Sequence, residues 1–578
     1  MNPTPTPAFK LPFWPVLASF ALSIFMLFWR LGGMALITPD EGRNAEVARE
    51  MGLSHAWLVP TYDGLAYLDK PAFYFKTVAL SFAAFGESEG VARLSSALFA
   101  LALITVVFLF CKKMYDQRTA VLAVLVVSTS PLFLVFARYV IFDMTLAFFV
   151  CSSIFACFLA EEDDGKHRGR WYLLGALAAG FATVIKGPVG FIIPTLVIAV
   201  FNGVEGRFAV MKQAFALRNV AIFLAIVLPW FIGLSIERPD FPYYGIMRES
   251  IARFTTTEFR RTAPFYFYAP VIMGTFFAWS LLLPASVLAA IKNRSRWSRT
   301  DYLLVVWAIL VVIFFSISKS KLPGYILSAV VALGILTARV FALALANHAG
   351  RAAQLLRRST IPLLVLSVLA AGVLFWLAAD PAWLKGKLSD KHAVFDLFVP
   401  SIMPMAWSFA AVAVLSGAAL WTRNTRVVFA AFMSFPVLLI SVNFDLLSVY
   451  AHTRSSRALA EHIRPLISEA TELACLECLP NGLPFYLQRY VTVITRDGEQ
   501  LTSNYVVFTL KTAQPWPQGV VPLGELQNWL ATRTQPVYLL AKTDHLPQLK
   551  AIAAARGVTV TEQGSKYWAA LLPAPTGR

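Results

Sequence analysis

The chain is far too apolar for a soluble globular protein. Of its 578 residues, 58% are hydrophobic and 14% are charged, whereas an average soluble domain has about 25% charged residues. The mean hydropathy of +0.63 predicts a polytopic membrane protein. The net charge of +17 does not call for a nucleic-acid partner, because basic residues concentrate in loops between the apolar segments.

About thirteen apolar segments approach the roughly 20 residues that a helix needs to span a bilayer. The predicted spans are residues 11–30, 91–111, 119–137, 142–160, 171–186, 189–202, 219–236, 266–291, 302–318, 322–345, 361–379, 398–421 and 427–446. The fifth and sixth spans are short and are divided by Lys186-Gly187-Pro188. The apolar stretch 72–85 is interpreted as interfacial, because Lys76 interrupts it and Gly86 ends it.

The orientation of the spans follows from lysines and arginines in the loops. With the N-terminus inside, the cytoplasmic loops around 112–118, 166–170, 207–218, 292–299, 351–358 and 423–426 are all basic, as the positive-inside rule requires. An odd number of spans then places the C-terminal part outside. We expect no cleavable signal peptide, because the first apolar run is too long and lacks a small-residue cleavage site.

Composition divides the chain into two predicted domains. Residues 1–446 form a transmembrane domain with outer loops at 31–90 and 237–265, and residues 447–578 form a soluble α/β domain outside the membrane. In this second domain, strands are predicted at 490–495, 505–510, 537–541, 558–561 and 568–572, and helices at 455–468, 523–532 and 546–556. Cys475 and Cys478 are too few for a zinc site; a disulfide or a pair of free thiols both stand open.

The first outer loop opens with Thr38-Pro39-Asp40-Glu41-Gly42-Arg43. This pattern predicts a helix running to about residue 51, with Thr38 as N-cap and Glu41 completing a capping box. Asp40 has no such capping role, and Arg43 lies one turn further along the same face. Either the two side chains face a substrate cavity at the membrane surface, or they belong to an acidic first turn favoured by the helix dipole.

Other ionisable residues stand at the predicted outer edge of the membrane. Asp143 begins the fourth span, Lys186 separates two short spans, and Lys319 and Lys321 precede Pro323-Gly324-Tyr325 between the ninth and tenth spans. Capping or snorkelling explains each one alone. Because all lie on the same side as Asp40, we predict one outward-facing cavity.

The outer loops also carry cations against the topology rule. These are Arg43, Arg49, Lys70 and Lys76 in the first loop, and Arg238, Arg248, Arg253, Arg260 and Arg261 in the second. They indicate an anionic ligand such as a phosphate, or pairing with lipid headgroups. The sequence shows no Walker loop, dinucleotide-binding glycine pattern or metal-type histidine cluster.

The early block resembles the bacterial 4-amino-4-deoxy-L-arabinose (aminoarabinose) lipid A transferases, which belong with the protein O-mannosyltransferases to the GT-C class. The matching residues are those at 38–51, Trp57-Leu58-Val59-Pro60, Leu68-Asp69-Lys70-Pro71, Phe85-Gly86-Glu87 and Ala92-Arg93-Leu94. The layout agrees over the whole length. The resemblance implies a GT-C-type polytopic α-helical membrane protein with about thirteen transmembrane helices and a C-terminal soluble α/β domain.

Three positions depart from the family pattern. Asp69 stands where the family usually has Glu, and Asn44 stands where it has Tyr. The outer-loop pattern Glu-His-x-x-Arg-Phe reads Glu249-Ser250-Ile251-Ala252-Arg253-Phe254 in this chain. Ser250 stands at the position of the family's His, so a metal-binding or acid–base role at this position lacks the residue that would normally perform it.

The resemblance implies transfer of aminoarabinose from undecaprenyl phosphate to a lipid A phosphate, at the periplasmic face of the bacterial inner membrane, giving resistance to cationic peptides such as polymyxin. It implies Asp40 and Asp143 as catalytic residues, whereas the local helix-start pattern gives Glu41 the role of a structural cap. The expected substrate-binding residues are Arg43, Asp69, Lys70, Lys186, Arg253 and Tyr325. No cofactor, metal ligand or nucleic acid is required, although a divalent metal stays open; the expected partners are the lipid-linked donor, lipid A and membrane lipids.

Three alternatives are kept open. The same fold could glycosylate a protein hydroxyl, as the O-mannosyltransferases do, or use a lipid donor that carries another sugar. A transporter ranks lower, because its charges would lie at mid-membrane between matched halves, whereas here they cluster at one face.

Overall fold

The computed structural model describes residues 11–163, 165–256, 262–284, 286–287, 297–383, 392–512, 515–564 and 566–574. The chain forms two compact units. The helical unit contains residues 1–31, 96–231 and 250–449, and the mixed unit contains residues 32–95, 232–249 and 450–578. Arg260 and Arg261, two of the predicted outer cations, lie outside the described residues.

Helices of seven to 31 residues make up most of the helical unit. They are Phe13–Phe28, Glu89–Met114, Gln117–Ser128, Pro131–Ala137, Asp143–Glu162, Arg168–Lys186, Val189–Val204, Leu217–Glu237, Tyr268–Thr275, Arg299–Ile317, Leu327–Ala346, Arg351–Ala379, His392–Thr422, Thr425–Ser441 and Phe444–Thr453. Short turns of helix occur at Phe208–Val210, Met211–Ala214, Arg253–Thr255, Trp279–Leu282 and Pro323–Ile326, and a π-helix at Tyr243–Ala252.

The number of spans in the described residues is lower than predicted. Seven helices are long and apolar enough to cross a membrane, or up to nine if each of two bent pairs is one span. The pair Gln117–Ser128 and Pro131–Ala137 bends by 68°, at a proline that cannot donate a backbone hydrogen bond. Helices Phe13–Phe28 and Val189–Val204 occupy two further predicted spans but are shorter. A hydropathy window therefore located the helices, but it did not show which are interrupted.

The core of the helical unit is built from aromatic side chains. Phe110 stacks on Phe155 with ring centroids 4.1 Å apart, and Trp307 meets Phe155 edge to face. Trp279 is fully buried and stacks on Phe432. Its indole N–H donates to the Thr129 hydroxyl at 3.2 Å, so the one polar atom of this ring is satisfied inside the core.

The mixed unit contains two sheets. A hairpin pairs β1 (Thr61–Tyr62) with β2 (Leu65–Ala66). The larger sheet contains β3 (Glu472–Leu476), β4 (Thr492–Thr495), β5 (Val520–Pro522), β6 (Val537–Lys542), β7 (Thr561–Glu562) and β8 (Tyr567–Leu572). Its order is β5-β4-β3-β6-β8-β7. Strands β5, β4, β3 and β6 are parallel, β8 is antiparallel to β6, and β7 is antiparallel to β8.

Helices of the mixed unit connect these strands and precede them. They are Asp40–Ser54, Phe73–Phe85, Arg457–Ile463, Leu483–Leu487, Asn504–Thr512, Leu526–Ala531 and Leu546–Ala554. From β3 the chain adds β4 and β5 on one side, and it then adds β6 on the other side of β3. This change of side between β3 and β6 is typical of doubly wound α/β domains. In such domains the loops after the carboxyl ends of the parallel strands supply the ligand-contacting residues, and residues 481 and 502 lie in the loops after β3 and β4.

One predicted strand is wrong. Residues 505–510 lie in the helix Asn504–Thr512, although their alternating valines and aromatics favour a strand. The Ser503 hydroxyl accepts from the amide of Val506, and the Asp69 carboxylate accepts from the amides of Asn504 and Tyr505. These contacts satisfy the free amides of a first helical turn. Strands β3 and β5 were not predicted.

Cys475 and Cys478 are free thiols, and both are buried. The Cys478 thiol lies 3.7 Å from the carbonyl oxygen of Leu540. A hydrogen bond with Cys478, together with burial, raises the pKa of the Cys475 thiol well above its ordinary value. The Cys475 thiol, in strand β3, is therefore held protonated.

Candidate active site

The Asp40 helix begins differently from the prediction. It runs from Asp40 to Ser54, and no side chain caps its first turn. The Thr38 hydroxyl instead donates to the carbonyl oxygen of Arg454 at 2.7 Å, and the Thr38 amide donates to the same oxygen. The predicted capping box is therefore wrong, because Thr38 is engaged by a residue far away in the sequence.

Glu41 nevertheless has a structural role. Its carboxylate forms a two-pronged ion pair with the guanidinium of Arg93, with both N–O distances at 2.8 Å, and both side chains are fully buried. The same carboxylate accepts from the amide of Ile37 at 2.9 Å. Arg93 also donates to the carbonyl oxygens of Met34 and Ala35. Glu41 thus fastens the chain that enters the Asp40 helix, rather than facing a cavity.

Asp40 and Arg43 form an ion pair at 2.6 Å. The Asp40 side chain is 34% exposed and the Arg43 side chain 8%, so the carboxylate is accessible while the guanidinium is enclosed. Arg43 lies over the ring of Tyr67, 5.4 Å from its centroid. Burial alone would lower the pKa of Arg43, but Tyr67, Asp40 and Asp69 outweigh it and raise that pKa. The site therefore contains a permanent positive charge next to an accessible carboxylate.

Asp69 is buried and its oxygens accept several hydrogen bonds. It accepts from the Tyr244 hydroxyl at 2.7 Å and from the amides of Asn504 and Tyr505 at 2.9 and 2.8 Å. Burial, and secondly the Asp69 charge, raise the pKa of Tyr244 well above its ordinary value. These contacts make Asp69 an organiser of the surrounding segments, and its role toward a substrate stays a prediction.

Lys70 follows Asp69 and is mostly enclosed. It pairs with Glu249, with side-chain exposures of 12% and 10%, and also donates to the carbonyl oxygen of Asp69 at 2.5 Å. A phosphate oxygen would meet this ammonium only by sharing it with, or displacing, Glu249. One electrostatic neighbourhood of the mixed unit thus contains Asp40, Arg43, Asp69 and Lys70. Burial raises the pKa of Tyr67, the charge of Arg43 lowers it, and the charges of Asp69, Asp40 and Glu249, the partner of Lys70, raise it.

A second cluster lies in the helical unit. The Lys186 ammonium, at the end of its helix, contacts the Asp143 carboxylate at 2.5 Å. It also lies 4.7 Å from the centre of the Tyr325 ring and 5.1 Å from that of Phe142. Asp143 opens the helix Asp143–Glu162, where the dipole favours an acid. The structure brings together three residues that are distant in sequence and were predicted separately.

Gly324 allows this cluster to form. A Cβ added at this position would lie 2.5 Å from Phe136 Cζ and 3.1 Å from Asp143 Oδ1. Only glycine therefore lets the Pro323–Ile326 turn approach Asp143 this closely. This explains the Pro323-Gly324-Tyr325 sequence, whose purpose was not clear from the pattern.

Arg253 lies in the short helix Arg253–Thr255 of the helical unit and is half-buried. The carbonyl oxygen of the next residue, Phe254, accepts from the amide of Lys319 at 2.9 Å. Ser250, where the family pattern has His, lies near Gly187, since a Cβ built there would be 3.9 Å from the serine hydroxyl. The described residues contain no group of three or more His, Cys, Asp or Glu side chains that could hold a metal ion.

Sequence reasoning missed Tyr67, Tyr244 and Thr502. Tyr67 directly precedes the Leu68-Asp69-Lys70-Pro71 block, so its neighbourhood was a usable signal. Tyr244 and Thr502 are far from any motif, and only the folded chain brings them to Asp69 and Arg43.

Comparisons with known proteins show which proteins the chain is similar to. A sequence-family model described as dolichyl-phosphate-mannose-protein mannosyltransferase matches residues 69–232. The chain is 28% identical over 525 residues to the undecaprenyl phosphate-alpha-4-amino-4-deoxy-L-arabinose arabinosyl transferase of Pseudomonas aeruginosa, covering 89% of this chain and 90% of that protein. It is 30% identical over 326 residues to the protein of that name from Edwardsiella ictaluri, covering 55% of this chain and 58% of that relative, which is less than two thirds of its length.

A solved structure extends the likeness to nearly the whole chain. The crystal structure of ArnT from Cupriavidus metallidurans bound to undecaprenyl phosphate superposes with a TM-score of 0.81 at 25% identity, covering 96% of this chain and 97% of that chain. The predicted class, a GT-C-type helical membrane fold with a C-terminal α/β sheet, is confirmed, and so is the resemblance noted in the sequence.

Proposed function

We propose that this chain, which is similar in sequence and fold to the bacterial aminoarabinose transferases, is a multi-pass membrane glycosyltransferase that transfers 4-amino-4-deoxy-L-arabinose from undecaprenyl phosphate to a phosphate of lipid A. The observation that supports this most strongly is the likeness in fold to an undecaprenyl phosphate-bound ArnT over 96% of the chain. We place the reaction at the periplasmic face of the inner membrane, with cationic-peptide resistance as its result.

The chemistry requires stabilisation of negative charge more than it requires a base. An oxygen of the acceptor phosphate attacks the anomeric carbon, the bond from that carbon to the donor's phosphate oxygen breaks, and undecaprenyl phosphate leaves with the electron pair. A phosphate acceptor is already anionic at neutral pH, so no proton need be removed first. The enzyme's task is to hold cations where charge develops on the leaving phosphate.

The two clusters of charged residues suit these tasks. Arg43 keeps its charge because its pKa is raised, and together with Lys70 it supplies positive charge for a phosphate in the mixed unit. Lys186 and Arg253 supply positive charge in the helical unit. Asp40, which is 34% exposed, orients the acceptor or binds the sugar's ammonium. Asp143 is a second candidate to bind the ammonium group of the sugar. That ammonium would take the place of the Lys186 ammonium, with which Asp143 forms an ion pair in the structure.

Glycosylation of a protein hydroxyl is the second candidate, because the matching family model describes a protein mannosyltransferase. In that reaction Asp40 would have to accept the proton of a serine or threonine hydroxyl. The two functions leave the sugar on different molecules.

The test is mass spectrometry of lipid A and of membrane proteins from cells with the gene, without it, and with the Asp40→Asn variant. We expect an aminoarabinose increment on lipid A only with the wild-type gene. Lipid A that is identical in all three strains, with a sugar lost from proteins, would reject the proposal in favour of protein glycosylation.

A further inference from the structure

The guanidinium of Arg43 is held from two sides. Its Nη2 donates to Asp40 at 2.6 Å, and its Nη1 donates to both the carbonyl oxygen and the hydroxyl of Thr502, each at 3.1 Å. Nε is buried and has no hydrogen-bond partner among the described residues. Of the two sides, only the Asp40 contact comes from the motif itself.

Thr502 occupies an unusual position. It lies in the loop that follows the carboxyl end of β4, and its backbone is left-handed, with φ +52°. A β-branched residue rarely adopts this conformation, and such residues collect at functional sites. In this conformation both the carbonyl oxygen and the hydroxyl of Thr502 reach the same nitrogen of Arg43.

Asn481 fixes the Thr502 hydroxyl. Its side-chain amide donates to that hydroxyl at 2.9 Å, and its backbone carbonyl oxygen accepts from the Tyr62 hydroxyl at 3.0 Å. Asn481 is buried and lies in the loop after β3, next to the β4 loop in the sheet. Ligands of doubly wound sheets bind outside the carboxyl ends of the parallel strands, and here the loop after the carboxyl end of β4 contacts Arg43 of the Asp40 helix.

We propose that Thr502 is a positioning residue for Arg43 in glycosyl transfer. The C-terminal sheet thereby takes part in the reaction, because it sets the direction of the guanidinium and of the Asp40 carboxylate bound to it. This proposal rests on the proposed function, since it concerns the same site.

The test compares three variants in the purified full-length protein. Thr502→Val removes the hydroxyl but keeps the β-branched shape, and Thr502→Ser keeps the hydroxyl. Thr532→Val is a matched control, because the Thr532 hydroxyl donates to the carbonyl oxygen of Trp529 in its own helix turn and accepts from the neighbouring Arg533. We expect Thr502→Val to lower the turnover number about tenfold at an unchanged thermal midpoint. Thr502→Ser and Thr532→Val should stay close to wild type.

A double-mutant cycle separates positioning from general support. In the Arg43→Lys background the forked contact is absent, so Thr502→Val should cost less than about twofold there. Three outcomes would each overturn the proposal. The first is that the activity losses of Arg43→Lys and Thr502→Val multiply in the double variant, and the second is that Thr502→Val is as active as wild type. The third is a lowered thermal midpoint in Thr502→Val that Thr502→Ser does not restore.

A second readout does not depend on the reaction. Hydrogen exchange at the first-turn amides of the Asp40 helix should be several-fold faster in Thr502→Val and unchanged in Thr532→Val. If the wild-type protein transfers no sugar from the aminoarabinose donor, the proposed function fails, and exchange alone then decides. Unchanged exchange in Thr502→Val would overturn the positioning role.

Discussion

Asp40 and Glu41 are neighbours in the sequence but lie in different surroundings. The Asp40 side chain is 34% exposed and pairs with Arg43, whereas Glu41 is fully buried against Arg93. A capping role for Glu41 would make its replacement by Gln nearly harmless. The buried ion pair reverses that expectation, because a lone Arg93 charge would be left inside the protein.

The first prediction separates the two acids. Glu41→Gln should lower the stability of the protein by about 3–5 kcal/mol, the usual cost of breaking a buried pair, and should do so with or without substrate. Asp40→Asn should keep the wild-type thermal midpoint and lose most of the transfer activity. Thermal unfolding and a turnover assay on each purified variant measure both effects. Equal stability of Glu41→Gln and wild type would mean that the Arg93 pair does not hold the motif.

At the scale of elements, the far end of the Asp40 helix is fixed by another acid. The Glu50 carboxylate accepts from the Thr61 hydroxyl and from the amides of Asp63 and Gly64. It thereby ties the helix to the β1–β2 hairpin. Burial, and then the nearby charge of Glu46, raise the pKa of Glu50 from 4.5 to about 7.

The second prediction follows from this shift. Between pH 4.5 and about 7 the folded state keeps a proton on Glu50 that the unfolded state releases. The stability contributed by Glu50 is therefore fully present below pH 4.5 and is lost as the pH rises through about 7. Thermal midpoints at acid and neutral pH should differ less in Glu50→Gln than in wild type. Glu461→Gln, at an exposed position, is the control, and an unchanged pH difference in Glu50→Gln would refute the assignment.

The elements show where sequence reasoning succeeds and where it stops. Apolar runs are local, so each predicted span has a helix at or near its position. Breaks within spans depend on packing, and the helix Asn504–Thr512 depends on Asp69, far away in the sequence. The spacing of Asp40 and Arg43 is also local, so the motif predicts that they lie on one face of a helix, as they do. Thr502 and Tyr244 contact Arg43 and Asp69 from distant parts of the sequence, so only the fold identifies them.

At the scale of the whole molecule, the account depends on which side of the membrane the clusters face. Basic loops alternate with outer loops that contain the motif residues, and from this pattern we predict that the C-terminal sheet lies in the periplasm.

The third prediction tests this orientation. Alkaline phosphatase fused after the last residue should be active, because it folds only outside the cytoplasm, and a fluorescent protein that folds only in the cytoplasm should stay dark at the same position. The same fusions placed after residue 165, in a predicted cytoplasmic loop, should give the opposite result and serve as the control. A bright C-terminal fusion would reverse the proposed side of the reaction.

One reconstituted reaction separates transfer to a lipid A phosphate from transfer to any other acceptor. Purified protein in liposomes would receive undecaprenyl phosphate-linked aminoarabinose together with lipid A that carries its phosphates or lacks them, and tandem mass spectrometry would locate the transferred sugar. The account predicts aminoarabinose on a lipid A phosphate, none on dephosphorylated lipid A, and almost none with Asp40→Asn. Transfer to dephosphorylated lipid A, or no transfer to lipid A by a protein that still consumes the donor, would contradict it.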